Sequence, residues 1–571
     1  MDAPPDELAP LPDARAVEKP PSLPPGHVRH AVQKVVHHVQ NHFGVGIICA
    51  VAYFDPGNWS VDLQAGSDFG YRPMLFVVMM AGVGAVIFQT MACRLGCVTG
   101  LDLAAHCRLL LYNRPRHRRL VRYGVMYPLY ALCEIAIIST DLAELLGSAI
   151  GLCLLFPTLP LWAAVLLTAT DVLVFLVLGD PSQGKGRPVR VFELTIIALV
   201  LAVFISFIVL LVKVHANWAH VFLGFVPSSR LFETSPNALY TAVGILGATV
   251  MPHALFLGSF LSTQDRVSTT PLPLPSPANA SPHGGRGLRV WFRSLFAITR
   301  ADRIAADREW RDNFVRPENN TLEFVHAHLG HGIVDIVTSL LGVAVPINSA
   351  ILIIAASVFF ESSQSASAPA GLFDAHDLIK QSVGTAAALI FALALLCAGQ
   401  TASITATLAG QIVAEGFIKW RISPFLRRIV TRMIALVPSM VVAIAVGRKG
   451  IDTLLVASQV ILSIVLPVVI IPLVWLTSSK DVMAVRRTAV APPPAELEEK
   501  PEVQVREGEA VHEDEHEHVE SAVPDDAASV MEENVDYSSG RFLTCLGYLI
   551  CVLVVVANAY VIVELILGNR S

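Results

Sequence analysis

Apolar stretches of about 20 residues, the length that carries a helix across the hydrocarbon core of a bilayer, recur from one end of this 571-residue chain to the other. No water is available to the backbone inside a bilayer, so each stretch must pair its own N–H and C=O groups and folds as a helix. Eleven spans are read, at 43–68, 74–92, 124–156, 160–179, 192–212, 238–263, 332–359, 383–411, 429–447, 451–477 and 542–567. The expected fold class is an all-α polytopic membrane protein. Charge content agrees: only 15% of the residues are Asp, Glu, Lys or Arg, against about 25% in a soluble chain.

The segments between the spans sort by charge. Residues 1–42 are polar and Pro-rich with no apolar h-region, so a disordered tail is expected there and not a cleaved signal peptide. A polar loop fills 264–331, and a Pro- and acid-rich insert fills 478–541. With the N-terminus in the cytoplasm, 34 of the 41 Lys and Arg residues fall on the cytoplasmic side. The others are Arg72, Lys213, Arg230, Lys380, Arg448, Lys449 and Arg570. Lys and Arg collect on the cytoplasmic side of membrane proteins, so this orientation is expected, with the C-terminus outside the cell or in a lumen. The sequons at Asn279 and Asn319 then face the cytoplasm and should carry no glycan. The nine cysteines contain no Cys-x-x-Cys pair and read as small buried apolar residues.

Two spans carry helix breakers in mid-membrane. The first contains Asp55-Pro56-Gly57-Asn58, and the sixth contains Met251-Pro252-His253. They open two five-span halves, spans 1–5 and 6–10, and such paired interruptions point to a transporter's binding site. Proline has no N–H to offer the carbonyl four residues earlier. Pro56 therefore frees the carbonyl of Ala52, and Pro252 frees that of Ala248. Asp55 adds a carboxylate, Asn58 an amide oxygen and Met251 a thioether. A lone methionine in an apolar span is usually core filler, but an intramembrane aspartate is costly to bury and reads as functional. One carboxylate, neutral oxygens and one soft sulfur suit Mn²⁺ or Fe²⁺ better than Ca²⁺ or Mg²⁺, which favour all-oxygen sites.

With these two motifs, the chain resembles the Nramp family, the natural resistance-associated macrophage protein type of divalent metal transporter. Further motifs of the family follow in order: LGCVTGLDLA (95–104), EIAIISTDLAELLGSAI (134–150), VPINSAILI (345–353), AGQTASITATLAGQIVAEGF (398–417) and LLVASQVILSIVLP (454–467). The likeness covers about 43–477. It implies a LeuT-like fold of two inverted five-helix repeats, at 43–212 and 238–477, with an eleventh helix at 542–567. It also implies proton-coupled uptake of Mn²⁺ or Fe²⁺ toward the cytoplasm by alternating access. The family's metal ligands match Asp55, Asn58, Met251 and the carbonyls of Ala52 and Ala248, the set the proline argument reaches. Gln459 resembles a further ligand of the occluded state. Two positions depart from the pattern: Ala254 stands where the family usually has Asn, and Val465 where a glutamine is common.

Span 3 holds Glu134, Asp141 and Glu144, three carboxylates that are expensive unless they line a wet path or meet cations. In the family this region and the sixth-span histidine, here His253, form the proton route. Arg432, at the start of span 9, is a candidate partner. Asp171 reads as a packing or hydrogen-bonding residue. Asn348 and Gln400 are expected to bond across helices or line the path. The run from His512 to His518 reads as a solvated charged stretch, with metal sensing as the alternative.

The leading reading is a secondary transporter of Mn²⁺, Fe²⁺ and other divalent transition metals, with H⁺ as coupling ion and no resident cofactor. No Gly-x4-Gly-Lys-Ser/Thr motif is present, which argues against an ATP-driven pump, and no enzyme activity or nucleic-acid partner is expected. A Na⁺-coupled amino-acid transporter of the same fold would have Asp55 repelling its substrate's carboxylate. A transport-dead sensor would have no use for an intact Asp55, Asn58 and Met251. The membrane is the plasma membrane or a vacuolar or endosomal one.

Overall fold

A computed structural model describes residues 44–112, 114–171, 190–233, 237–267, 319–361, 371–419, 424–487 and 534–567, all within one structural unit, His42–Ser571. The expected N-terminal tail, the end of span 4, Asn279, the run from His512 to His518 and the side chain of Asp171 lie outside the described residues.

The first span is two helices, α1 (Val45–Val51) and α2 (Pro56–Phe69). Then come α3 (Met74–Thr99), a short α4 (Leu103–Tyr112), α5 (Arg118–Leu155), α6 (Leu161–Thr168), α7 (Arg190–Lys213) and a short α8 (Trp218–Gly224). The sixth span is again two helices, α9 (Ala238–Thr249) and α10 (Pro252–Leu261). It is followed by α11 (Leu322–Phe360), α12 (Leu372–Ser382), α13 (Thr385–Ile418), α14 (Pro424–Ala445), α15 (Arg448–Ser478), a single turn α16 (Lys480–Met483) and α17 (Arg541–Leu567). Among the described residues eight helices are long and apolar enough to cross a membrane, counting α9 with α10 as one. The split first span and α14 overlap two of the other expected spans, and α6 is the described start of the third.

Burial sorts the helices. In the apolar windows of α9–α10 and α5, 89% and 83% of residues are buried, against 28% in α7 and α17. The break-bearing sixth span is therefore central. Leu201 and Val212 of α7, and Val552 and Val556 of α17, point outward, where lipid tails solvate them. α13 and α15 both pack on α5, α11 packs on α2, and α17 packs on α15.

Several boundaries differ from the sequence expectation. α11 begins at Leu322, inside the expected loop 264–331, because the Thr321 hydroxyl caps the Phe324 amide at 3.3 Å and Glu323 sits in the first turn. Capped polar turns beyond the bilayer are invisible to a hydropathy reading. α3 likewise runs on to Thr99.

The insert 478–541 also has structured ends. β1 (Ala484–Arg486) pairs antiparallel with β2 (Asn534–Asp536), matching Val485 with Val535. The Asn319 amide donates to the carbonyls of Val482 and Ala484 at 2.9 and 2.6 Å, and the Asn320 amide donates to Cys97 O at 2.8 Å. Three segments that charge assigns to one side of the membrane thus meet at one end of the bundle.

Candidate functional site

The first break begins as a tightening of α1. The amides of Tyr53 and Phe54 reach back three residues, to Ala50 and Val51 at 2.9 and 3.4 Å, and Pro56 then offers no N–H. Asp55 starts α2 as its N-cap, its Oδ1 accepting from the Asn58 amide at 2.8 Å. Of the carbonyls released by the break, Tyr53 O accepts from the Asn348 amide at 2.7 Å and Phe54 O from the Trp59 indole at 2.9 Å. No donor meets the Ala52 carbonyl among the described residues.

The second break is the same device with different chemistry. Val250 closes α9 through its amide to Leu246 O at 2.8 Å, and Met251 stands as N-cap of α10 in extended backbone, with no side-chain cap. Pro252 leaves the Ala248 carbonyl without its helical donor. Met251 is wholly buried.

The breaks oppose one another. α1 packs against α10 while α2 packs against α9, so the half before each break touches the half after the other. That antiparallel crossing sets the two interruptions side by side. Gln459 of α15 lies between them: a Cβ at Gly57 would collide with its side-chain amide, and a Cβ at Gly247 with its main-chain carbonyl. α5 closes the far wall, because a Cβ at Gly147 would strike the Pro56 ring.

Asp55 is 1% exposed, and Asn58 and Gln459 are fully buried. Among the described residues, Asp55 Oδ2, both side-chain amide atoms of Asn58 and Gln459 Oε1 have no hydrogen-bond partner. Gln459 commits its Nε2 to Ser458 Oγ at 3.1 Å, which leaves Oε1 for the centre. Buried polar atoms are nearly always paired, and a buried carboxylate without a counter-charge costs several kcal/mol. The α2 N-terminus offsets about 1 kcal/mol of that. A cation at the crossing would satisfy the three oxygens among them at once, Asp55 Oδ2, Asn58 Oδ1 and Gln459 Oε1. Among the described residues no three His, Cys, Asp or Glu side chains form a metal cluster, so such a cation would need the neutral oxygens and the Met251 sulfur as well.

A polar row leads away from this centre along α5. His253 Nδ1 lies 3.4 Å from Thr140 Oγ1, and that hydroxyl donates its proton to Ala136 O at 3.1 Å, which makes the histidine nitrogen the donor. Next in sequence, Asp141 is paired with Arg432 at 3.1 Å, and the same guanidinium donates to Ser403 Oγ. Glu144 lies one turn further on the same face and is 1% exposed. Arg427 donates to both carboxylate oxygens of Glu134 at 2.7 and 2.8 Å.

The structure thus joins Asp141 to the expected Arg432, while Glu134 takes Arg427, which the sequence reading left out. Arg427 lies in the first turn of α14, which begins at Pro424 and not at the expected 429. Asp62 was also passed over. It is 2% exposed with its Oδ2 unpartnered, and it stands two turns after Asp55 on α2; that i, i+7 spacing was the available signal. Gln400 bonds across helices, its amide donating to Ser148 Oγ at 3.2 Å.

The chain has known relatives. The family profile described as "Nramp: Natural resistance-associated macrophage protein-like" matches residues 46–491. The manganese transporter pdt1 of Schizosaccharomyces pombe is 42% identical over 443 residues, 77% of this chain and 75% of that protein. The iron transporter SMF3 of Saccharomyces cerevisiae is 36% identical over 530 residues, 92% of this chain and 96% of that one. Among solved structures, a mutant of the Eremococcus coleocola manganese transporter superposes with a TM-score of 0.65 at 26% identity, covering 96% of this chain and 91% of that chain.

Proposed function

The chain belongs to the Nramp family and has its LeuT-like fold, and on that premise we propose that it moves Mn²⁺ or Fe²⁺ across its membrane toward the cytoplasm, in symport with H⁺, by alternating access. It is a multi-pass membrane protein and not an enzyme. The observation that carries the reading is the group of orphaned atoms at the crossed breaks, Asp55 Oδ2, the Asn58 amide and Gln459 Oε1, beside the buried Met251. With the carbonyls of Ala52 and Ala248, these provide one full negative charge, neutral oxygens and one thioether. That donor set suits a borderline transition ion. The metal is cargo and has to leave, so a single carboxylate serves better than the several that would trap it.

Proton coupling rests on the row that begins at His253. A metal at the crossing places positive charge near that imidazole, which disfavours the imidazolium and drives its proton toward Thr140 and Asp141. Arg432 and Arg427 hold the neighbouring carboxylates in place. The test is uptake of radioactive Mn²⁺ into proteoliposomes with and without an inward proton gradient. The gradient should accelerate uptake. Equal rates in both conditions would exclude symport, and no uptake in either would exclude transport.

The orientation has its own test. The Asn319 side chain is held against Val482 and Ala484 on the side proposed as cytoplasmic, so Asn319 should carry no glycan when expressed in a eukaryotic cell. Glycan at that position would reverse the topology.

A further inference from the structure

A second cation-binding chemistry sits apart from the crossed breaks, at the cytoplasmic end by the proposed topology. Cys93 and Cys97 are four residues apart on α3, so their side chains share one helix face about 5–6 Å apart at Cβ. Both are 1% exposed, and both line a cavity of about 20 Å³ with Ser262, Gln264, Arg266 and His328. Gln264, 4% exposed, has an Oε1 with no hydrogen-bond partner among the described residues. The cavity size decides the class of occupant. About 10–15 Å³ holds one water, so 20 Å³ admits a single water or metal ion and excludes an organic ligand. The wall is tight on the α11 side, where a Cβ at Gly332 would sit 3.0 Å from the Cys93 sulfur.

We propose that Cys93, Cys97 and Gln264 form a site for a thiophilic divalent ion such as Cd²⁺ or Zn²⁺, separate from the transport centre. Two thiolates and one divalent ion are neutral as a set, so binding releases two protons and adds no net charge to a buried wall. The two charged or titratable side chains that line the cavity with them, Arg266 and His328, each have a partner. Arg266 is paired with Glu193 at 2.6 Å, and His328 Nε2 accepts from the Arg266 amide at 3.1 Å while also facing Asp265 at 3.3 Å. The bound ion ties α3 to the turn after α10, the helix that carries the second break. On the transport reading, and resting on it, occupancy holds that turn still and slows Mn²⁺ movement.

The test uses the purified full-length chain carrying Asp55→Asn to silence the transport centre, with Cd²⁺ as probe. Binding is followed by equilibrium titration and by the ultraviolet thiolate-to-cadmium charge-transfer absorbance. One Cd²⁺ per chain with that absorbance is expected. Cys93→Ala/Cys97→Ala, or the corresponding serine pair, should remove the absorbance and weaken binding roughly a hundredfold. Gln264→Leu should weaken it roughly tenfold, and Cys49→Ala should leave it intact. Absorbance that survives loss of both cysteines, or that disappears with Cys49→Ala, overturns the assignment. Loss of all Cd²⁺ binding with Asp55→Asn alone also overturns it. Because binding is read directly, a chain that moved no Mn²⁺ would sink the transport reading and still decide this one. In transport assays without Cd²⁺, the double cysteine variant should take up Mn²⁺ as the wild type does; retained Cd²⁺ inhibition in that variant would contradict the inhibitory role.

Discussion

The two broken helices share a design and divide the chemistry. Each loses a hydrogen bond at a proline and restarts, the first after a tightened turn and the second straight from an ordinary α-helical bond. The first restarts on Asp55, whose carboxylate caps its own helix through one oxygen and leaves the other unpaired. The second restarts on Met251, which caps nothing and brings a sulfur. The first break also fastens its spare carbonyls to side chains, through Asn348 and Trp59, whereas the second adds a histidine that turns toward α5. Charge, and with it affinity, resides on one side of the crossing. Softness and the link to the proton row reside on the other.

That division predicts unequal effects, the largest at Asp55. Asp55→Asn keeps the shape and removes the only full charge contributed by either break. Losing about 3 kcal/mol of charge pairing corresponds to a hundredfold or more in affinity, so Mn²⁺ uptake into proteoliposomes should fall to background while the protein remains monodisperse. Uptake within tenfold of wild type would erase the asymmetry.

Next comes the space between the breaks. Gly57→Val forces a side chain into the Gln459 amide and should lower uptake roughly tenfold or more. Pairing it with Gln459→Ala should recover part of the loss. Rescue would locate the fault at the crossing, and its absence, where Gln459→Ala alone still takes up Mn²⁺, would mean that Gln459 does not stand between the breaks.

His253→Gln should act on coupling more than on binding. Its Mn²⁺ uptake should keep an apparent affinity within about threefold of wild type but respond less to an inward proton gradient. An unchanged gradient response would detach the second break from the proton row.

The smallest effect on Mn²⁺ is expected at Met251. A fairly hard ion accepts an oxygen in place of sulfur, so Met251→Ala should reduce Mn²⁺ uptake less than about tenfold. Cd²⁺ uptake should fall further, and excess Ca²⁺ should now inhibit or be carried. Met251→Leu restores the volume without the sulfur and should show the same change in selectivity. If leucine behaves as wild type, Met251 is packing.

Legibility follows from how far a signal reaches along the chain. The breaks were readable because proline's missing N–H acts four residues away, and Asp55 because an acid in an apolar span stands out. Arg432 was readable as a lone cation at a span's edge. Its neighbour Arg427 was not, because α14 starts in a segment too polar to resemble a span, and Glu134 lies 293 residues before it. The bond from Asn348 to Tyr53 spans 295 residues and has no local signature. The β1–β2 pair was missed for a similar reason: two three-residue strands separated by a long acidic stretch show no alternation to detect. Asp62 was visible but had no motif to mark it.

The central claim is that both breaks hold one ion between them. Anomalous diffraction at the manganese absorption edge, from crystals of the chain grown with Mn²⁺, tests it most directly. The account predicts a single strong peak within bonding distance of Asp55, Asn58 and the Met251 sulfur, absent from Asp55→Asn crystals. A peak bonded to the first break alone, with the Met251 sulfur turned away, would contradict it.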